Sequence, residues 1–169
     1  MKIDCLLPIA DKSSKVLILA IMPSIVALGS GQYYSSPKNV FWDILYRVFN
    51  TTLGEFDPDK ISYNEKLAFL KSKQIAIWDT LASCERKGNL DKNISNPVTN
   101  DFNIFFTEYP NIQHVFFNGQ EAARYFKEYM TSKIVSENRS FTTLPSTSPS
   151  NQTNCFRKLE EWTKIKNYA

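Results

Sequence analysis

The chain has 169 residues, 43% of them hydrophobic and 22% charged, and 20 Lys and Arg against 17 Asp and Glu give a net charge of +3. That is enough for one domain with a real core, it excludes a disordered chain, and the mild basicity is compatible with nucleic acid without identifying it. Cys5, Cys84 and Cys155 are odd in number and scattered, which excludes a disulfide framework and, with a single histidine, a zinc or iron–sulfur spacing; we expect a reducing, cytoplasmic setting, with no metal and no cofactor.

The first predicted element is a strand over Val16–Ala20, an apolar, β-branched run of the kind buried in a sheet. The apolar stretch continues to Leu28 only across Pro23 and falls well short of the ~20 residues of a membrane span. Asp4 and Asp11 dilute the region before it, so neither a leader nor a membrane contact is expected. The residues after the strand read as loop, with Gly29-Ser30-Gly31 a flexible connector. A helix follows over Phe41–Phe49, placing Phe41, Ile44, Leu45, Val48 and Phe49 on one face.

Residues 50–61 read as a polar connection containing Pro58. Ser62 and Glu65 have capping-box spacing and open a helix through about Ser72. A second strand is predicted over Gln74–Asp79, and residues 83–96 as a polar loop carrying Cys84-Glu85-Arg86-Lys87-Gly88. The helix over about Asp101–Tyr109 is stopped by Pro110. Val115–Asn118 is a third strand, turning at Gly119 into a helix to about Met130. Phe141–Leu144 is a fourth, followed by Pro145-Ser146-Thr147-Ser148-Pro149 and a last helix over about Asn154–Lys166 that presents Cys155, Leu159 and Trp162.

Strands alternating with helices imply an α/β fold: a single domain over residues 1–169, with a central four-stranded parallel sheet flanked by helices on both faces. In such sheets ligands bind beyond the carboxyl ends of the strands. That rule gathers four loops at one edge: Met22–Asn39, Asp79–Gly88, Asn118-Gly119 and Pro145–Pro149.

His114 lies before the third strand, away from those loops, which argues against a Ser-His-Asp or Cys-His arrangement. Gly29-Ser30-Gly31 is neither a phosphate loop nor a nucleophile elbow. Tyr33 and Tyr34 have two readings, rings that cap the core or a face that stacks on an extruded base. Asn39 likewise is either a helix cap for Phe41–Phe49 or a donor and acceptor for a nucleobase edge or a water. Ser146, Thr147 and Ser148 form a surface turn or, placed before a helix bearing Arg157, Lys158, Lys164 and Lys166, a phosphate clamp.

Four segments in order resemble the uracil-DNA glycosylase superfamily, and within it the hypoxanthine (deoxyinosine) DNA glycosylase branch. They are Met22-Pro23 with Gln32-Tyr33-Tyr34-Ser35-Ser36-Pro37-Lys38-Asn39-Val40-Phe41-Trp42, the stretch from Trp78-Asp79 to Gly88, Phe116-Phe117-Asn118-Gly119, and Leu144-Pro145-Ser146-Thr147-Ser148-Pro149. The resemblance runs from about Val16 to Trp162, and the last motif matches letter for letter. Two segments depart from the branch: Ala20-Ile21 stands where Gly-Ser is usual, and Ser36-Pro37-Lys38-Asn39 where His-Pro-Arg-Asn is usual.

The resemblance implies a monofunctional DNA glycosylase, a monomer acting on DNA that contains deaminated bases. It implies catalysis by Asn39, because the strand-one Asn of the mismatch-specific branches is Met22 here. Met22, Pro23, Ser24, Tyr34, Asp79 and Asn118 would bind the base, and Lys38, Ser146, Thr147, Ser148, Arg157 and Lys158 the DNA backbone. Hypoxanthine is the expected base. A uracil-preferring enzyme and a catalytically impaired DNA-binding homologue, suggested by Ile21 and Ser36, stay open, while the missing phosphate loop disfavours an unrelated nucleotide-binding protein.

Overall fold

The computed structural model describes residues 1–49, 57–130 and 138–169. Its centre is a parallel sheet of β2 (Val16–Ala20), β3 (Ile75–Asp79), β6 (His114–Asn118) and β7 (Ser140–Leu144), ordered β3-β2-β6-β7. Alternation sorts the strand residues by face. Leu17, Leu19, Ala76, Val115 and Phe117 pack with α4 (Phe102–Glu108) and α5 (Gln120–Met130). Val16, Ile18, Ile75, Ile77 and Phe116 pack with α2 (Phe41–Phe49), α3 (Tyr63–Ser72) and α6 (Cys155–Trp162). Apolar residues on both strand faces are what a sheet covered twice requires.

The helices form for local reasons. The capping box of Ser62 and Glu65 is present at the start of α3, and Asp101 caps α4 through the backbone N–H groups of Asn103 and Ile104. The last helix ends at Trp162 and tightens into a 3₁₀ turn over Thr163–Asn167; Trp162 is fully buried, Leu159 packs at its edge, and Cys155 is exposed. Of the expected 50–61 connection, residues 50–56 lie outside the described residues; Pro58–Lys60 forms a 3₁₀ turn capped by Asp57.

Two expectations are corrected. The stretch after the first strand is not loop: Ile25–Ser30 is a short helix, α1, capped by the Ser24 hydroxyl. Gly31 ends it at φ 65, donating to the carbonyls of Ala27 and Leu28, so Gly29-Ser30-Gly31 is a helix end and its left-handed cap rather than a flexible connector. The stretch after the second strand is not loop either. Leu81–Glu85 is β4, the middle of a second, antiparallel sheet with β1 (Lys2–Asp4) and β5 (Ser95–Thr99). Only Thr80 separates β3 from β4.

The connection after β2 packs Ile21 and Met22 on the α4 and α5 face and then crosses to α2 on the other, whereas β6 is followed by α5 on the first face. Neighbouring strands whose connections depart to opposite faces open a crevice between their carboxyl ends. The candidate site lies there.

Candidate active site

A cavity at these strand ends is lined by Met22, Pro23 and Ser24 after β2, Tyr34 and Asn39 before α2, Asp79 at the end of β3, Asn118 at the end of β6 and Ser146–Ser148 after β7. Most of the residues singled out for binding and catalysis thus converge. Lys38 and Arg157 are exposed and do not line the cavity. Lys158 differs from expectation: it is buried and its ammonium donates to the Asn151 carbonyl at 3.2 Å, while burial pulls its pKa down. It braces the loop before α6 instead of presenting a charge to solvent.

The two tyrosines have separate tasks. Tyr33 is core: its ring is buried, its N–H donates to the Tyr63 hydroxyl at 3.0 Å, and its carbonyl accepts from the Trp42 indole at 3.2 Å. Tyr34 is held at φ 55, a left-handed conformation that a bulky residue keeps only when its surroundings impose it. Two contacts do so. Its ring stacks on Phe41 with centroids 3.7 Å apart, and its hydroxyl accepts from Asn118 Nδ2 at 3.2 Å. One ring face is therefore covered by Phe41.

The two readings of Asn39 are both compatible with its geometry. Its Oδ1 accepts from the Phe41 backbone N–H at 3.0 Å, anchoring the start of α2. With the oxygen engaged, the amide donor Nδ2 is the group left for a ligand.

The β6 end and the β7 loop are joined through Asn118. Its Nδ2 donates to Thr147 Oγ1 at 2.9 Å, and its Oδ1 accepts from the Thr147 N–H at 2.8 Å. Both amide hydrogens of Asn118 are committed, counting Tyr34. Gly119 follows at φ 107, where an added Cβ would stand 3.0 Å from Ser146 Cβ; the close approach of loop and strand end requires glycine. The loop is fixed at its other end by Trp162, whose indole donates to the Pro145 carbonyl at 2.9 Å. Ser146 and Ser148 bond along the loop itself, the Ser148 N–H donating to Ser146 Oγ at 3.2 Å.

Asp79 is fully buried at the cavity wall. Burial pushes its pKa up to about 7, against the pull of the Tyr33 hydroxyl, the Leu6 backbone and the Arg86 charge. Tyr33 Oη lies 3.1 Å from Asp79 Oδ2 and 3.2 Å from the Leu6 carbonyl, and one phenolic hydrogen cannot serve both acceptors. Protonation of Asp79 would relieve the conflict, its hydroxyl then donating to the tyrosine and the tyrosine to Leu6. Asp79 Oδ1 has no partner among the described residues.

Sequence reasoning missed Arg86, which also lines the cavity and is buried at 4% exposure. It stands between exposed Glu85 and Lys87 in a run that reads as polar loop, and no local signal marks it as inward-facing. His114 sits at the opposite strand ends, its Nε2 2.9 Å from Thr142 Oγ1 and its ring stacked on Tyr168, with burial lowering its pKa.

Residues 7–168 match the Uracil DNA glycosylase superfamily. The chain is 30% identical to the Hypoxanthine DNA glycosylase of Methanosarcina acetivorans over 157 residues, 93% of each chain. It is 35% identical to the protein of that name from Methanosarcina barkeri over 118 residues, 70% of this chain and 72% of the other. The solution NMR structure of a candidate uracil DNA glycosylase from Methanosarcina acetivorans superposes with a TM-score of 0.79 at 25% identity, covering 98% of this chain and 99% of that one. A switch-point cavity walled by four motif segments and a family match spanning nearly all of the sequence lead to one assignment: the chain belongs to the uracil DNA glycosylase superfamily.

Proposed function

We propose that this protein is a monofunctional DNA glycosylase, a monomer of one domain, that extrudes a deaminated base, hypoxanthine foremost, and hydrolyses its bond to deoxyribose. The observation that carries the reading is the convergence of Tyr34, Asn39 and the Ser146–Ser148 loop on one cavity, in a chain similar to proteins named hypoxanthine DNA glycosylases. Extrusion costs a few kcal/mol and least at a damaged pair, so selection begins before the pocket reads the base.

The base would lie against the open face of Tyr34, a contact worth roughly 1–3 kcal/mol. Backbone groups of Met22–Ser24 would meet its oxygens, with the Ser24 side chain kept for capping α1. Asp79, buried behind the wall, would brace the pocket through Tyr33, and Asn118 would hold Tyr34 and the loop in register. Asn39 would donate from Nδ2 to the departing base, because its oxygen already serves Phe41. Two carboxylates, Asp79 and Asp91, line the cavity, and burial raises the pKa of both, away from the ionised form that a carboxylate nucleophile or base requires. The rate would then rest on preorganised donors that meet the developing charge.

Around the cavity, Lys38, Arg157 and the hydroxyls of Ser146 and Ser148 would hold phosphates, with Lys158 supporting from within. The protein would work inside the cell, where its three cysteines stay reduced.

Duplexes carrying deoxyinosine, deoxyuridine or neither, treated with the protein and then with alkali, test the reading. Strand cleavage is expected at deoxyinosine, less at deoxyuridine and none in the undamaged duplex. Preferred cleavage at deoxyuridine would reassign the base, and no cleavage anywhere would leave a DNA-binding homologue without activity.

A further inference from the structure

Arg86 is a buried cation that the scheme above does not use. It follows β4, is 4% exposed, and has no carboxylate oxygen within 4.0 Å among the described ion pairs. One nitrogen, Nη2, donates to the Pro23 carbonyl and so ties the guanidinium to the segment after β2. Its Nε–H is buried and has no partner among the described residues, and the side chain lines the same cavity as Asn39 and Tyr34. A buried charge is normally paired or hydrogen-bonded throughout. Here the guanidinium is only partly satisfied, and it stands at the wall of the candidate site.

Two carboxylates feel its charge, Asp79 and Asp91. Burial raises the pKa of both, and the guanidinium pulls each back down. A permanent cation held at this wall, with no ion-pair partner among the described residues, is placed to meet an incoming negative charge.

We propose that Arg86 is a further catalytic residue, whose guanidinium, held at the cavity wall, stabilises the negative charge gathering on the leaving base; this rests on the glycosylase reading above. In that reaction the bond between C1′ and the ring nitrogen breaks with both electrons going to the base. The sugar becomes an oxocarbenium ion, a water oxygen bonds to C1′ and releases a proton, and the base takes up a proton. Negative charge on the base is largest as the bond breaks, and in hypoxanthine it is shared with the 6-oxo oxygen. A fixed cation in a water-poor site acts on that charge with no reorganisation. Asn39 supplies a neutral donor to the same ring, and Arg86 supplies the charge.

The test compares Arg86→Gln and Arg86→Lys with the wild type on duplexes carrying deoxyinosine or 8-aza-deoxyinosine, whose base leaves as a more stable anion. Arg86→Gln should excise hypoxanthine about 10²–10³-fold more slowly, as for loss of one preorganised donor, and should be impaired much less on the aza substrate. Arg86→Lys, which keeps the charge, should retain more activity than Arg86→Gln and depend less on the leaving base. A folded Arg86→Gln that slows both substrates equally, or neither, overturns the proposal, because a purely structural arginine would not change the leaving-base dependence.

Binding of the free bases to the wild-type protein answers the same question if Arg86→Gln does not fold or if no excision is seen. Below the Asp79 midpoint, anionic 8-azahypoxanthine should bind at least about 10-fold more tightly than neutral hypoxanthine, one decade of preference for the charged form. Equal or weaker binding overturns the role of Arg86. A wild type that binds the anion tightly but excises nothing contradicts the glycosylase reading and leaves the anion site standing.

Discussion

Asn118 and Thr147 exchange two hydrogen bonds, the Asn118 amide donating to Thr147 Oγ1 at 2.9 Å and its oxygen accepting from the Thr147 N–H at 2.8 Å. The pair closes the gap between the end of β6 and the loop after β7, and through the Tyr34 hydroxyl it also fixes the aromatic wall of the cavity. Substitution of Asn118 by Ala should therefore affect both stability and function. Removing buried hydrogen bonds and stranding their partners costs about 1–3 kcal/mol per group left unsatisfied. Thermal unfolding should show a loss of this size, and excision measured well below the melting point should fall further than the lost folded fraction explains. A variant with normal excision per folded molecule would make the Asn118–Thr147 pair purely structural.

Gly119→Ala probes the approach of the same loop. The added methyl would sit 3.0 Å from Ser146 Cβ, on a backbone at φ 107 that alanine resists. Strain of this kind is on the order of 1–3 kcal/mol and pushes Ser146 outward. Fluorescence anisotropy should then report weaker binding to damaged and undamaged duplexes alike, since phosphate contacts carry no sequence information. Replacing Ser146 and Ser148 with Glu should have the same effect, and equal affinity in all variants would reduce the loop to an ordinary turn.

Asn39 has its two atoms in two jobs, and two substitutions separate them. Asn39→Ala removes the acceptor for the Phe41 N–H and should cost about 1 kcal/mol of stability, as for a lost cap. Asn39→Asp keeps that acceptor and should unfold close to wild type. Both lose the donor, so both should excise hypoxanthine roughly 10²–10³-fold more slowly. An active Asn39→Asp would instead assign the residue to positioning water through an oxygen.

Asp79 makes a prediction about pH. Its folded pKa of about 7 lies above the ordinary carboxylate value of 3.8, so folding favours the protonated form. Its stability contribution is full below the ordinary value and is lost as pH rises toward and through the folded one. A tenfold change in proton affinity is worth about 1.4 kcal/mol, so the loss at this fully buried group is on the order of a few kcal/mol. Urea unfolding from pH 4 to 8 should therefore show wild type weakening while Asp79→Asn, which cannot ionise, stays flatter. Parallel curves would show that Asp79 is not protonated in the folded protein.

Much of the main sheet was legible in the chain itself. Val16–Ala20 and Ile75–Asp79 are apolar enough to be strands covered on both faces, and Ser62 with Glu65, or Asp101 with Pro110, mark helix ends through short-range hydrogen bonding and backbone geometry. The convergence of the motif segments followed from strand-end geometry.

The second sheet was not legible. Ser95–Thr99 is mostly exposed and Leu81–Glu85 buries only Leu81 and Cys84, so neither carries a periodic signal, and β1 has three residues. The pairing of β1 with β4 joins residues about eighty positions apart. The same limit applies to single side chains. In sequence, Lys158 equals Arg157 and Arg86 equals Lys87, yet Lys158 and Arg86 are the buried member of each pair. Local composition and hydrogen bonding determined the elements of the main sheet and the motifs they carry. Which charges are removed from water, and which amide ends stay open to a base, was decided only by tertiary packing, because burial depends on what the rest of the chain brings alongside.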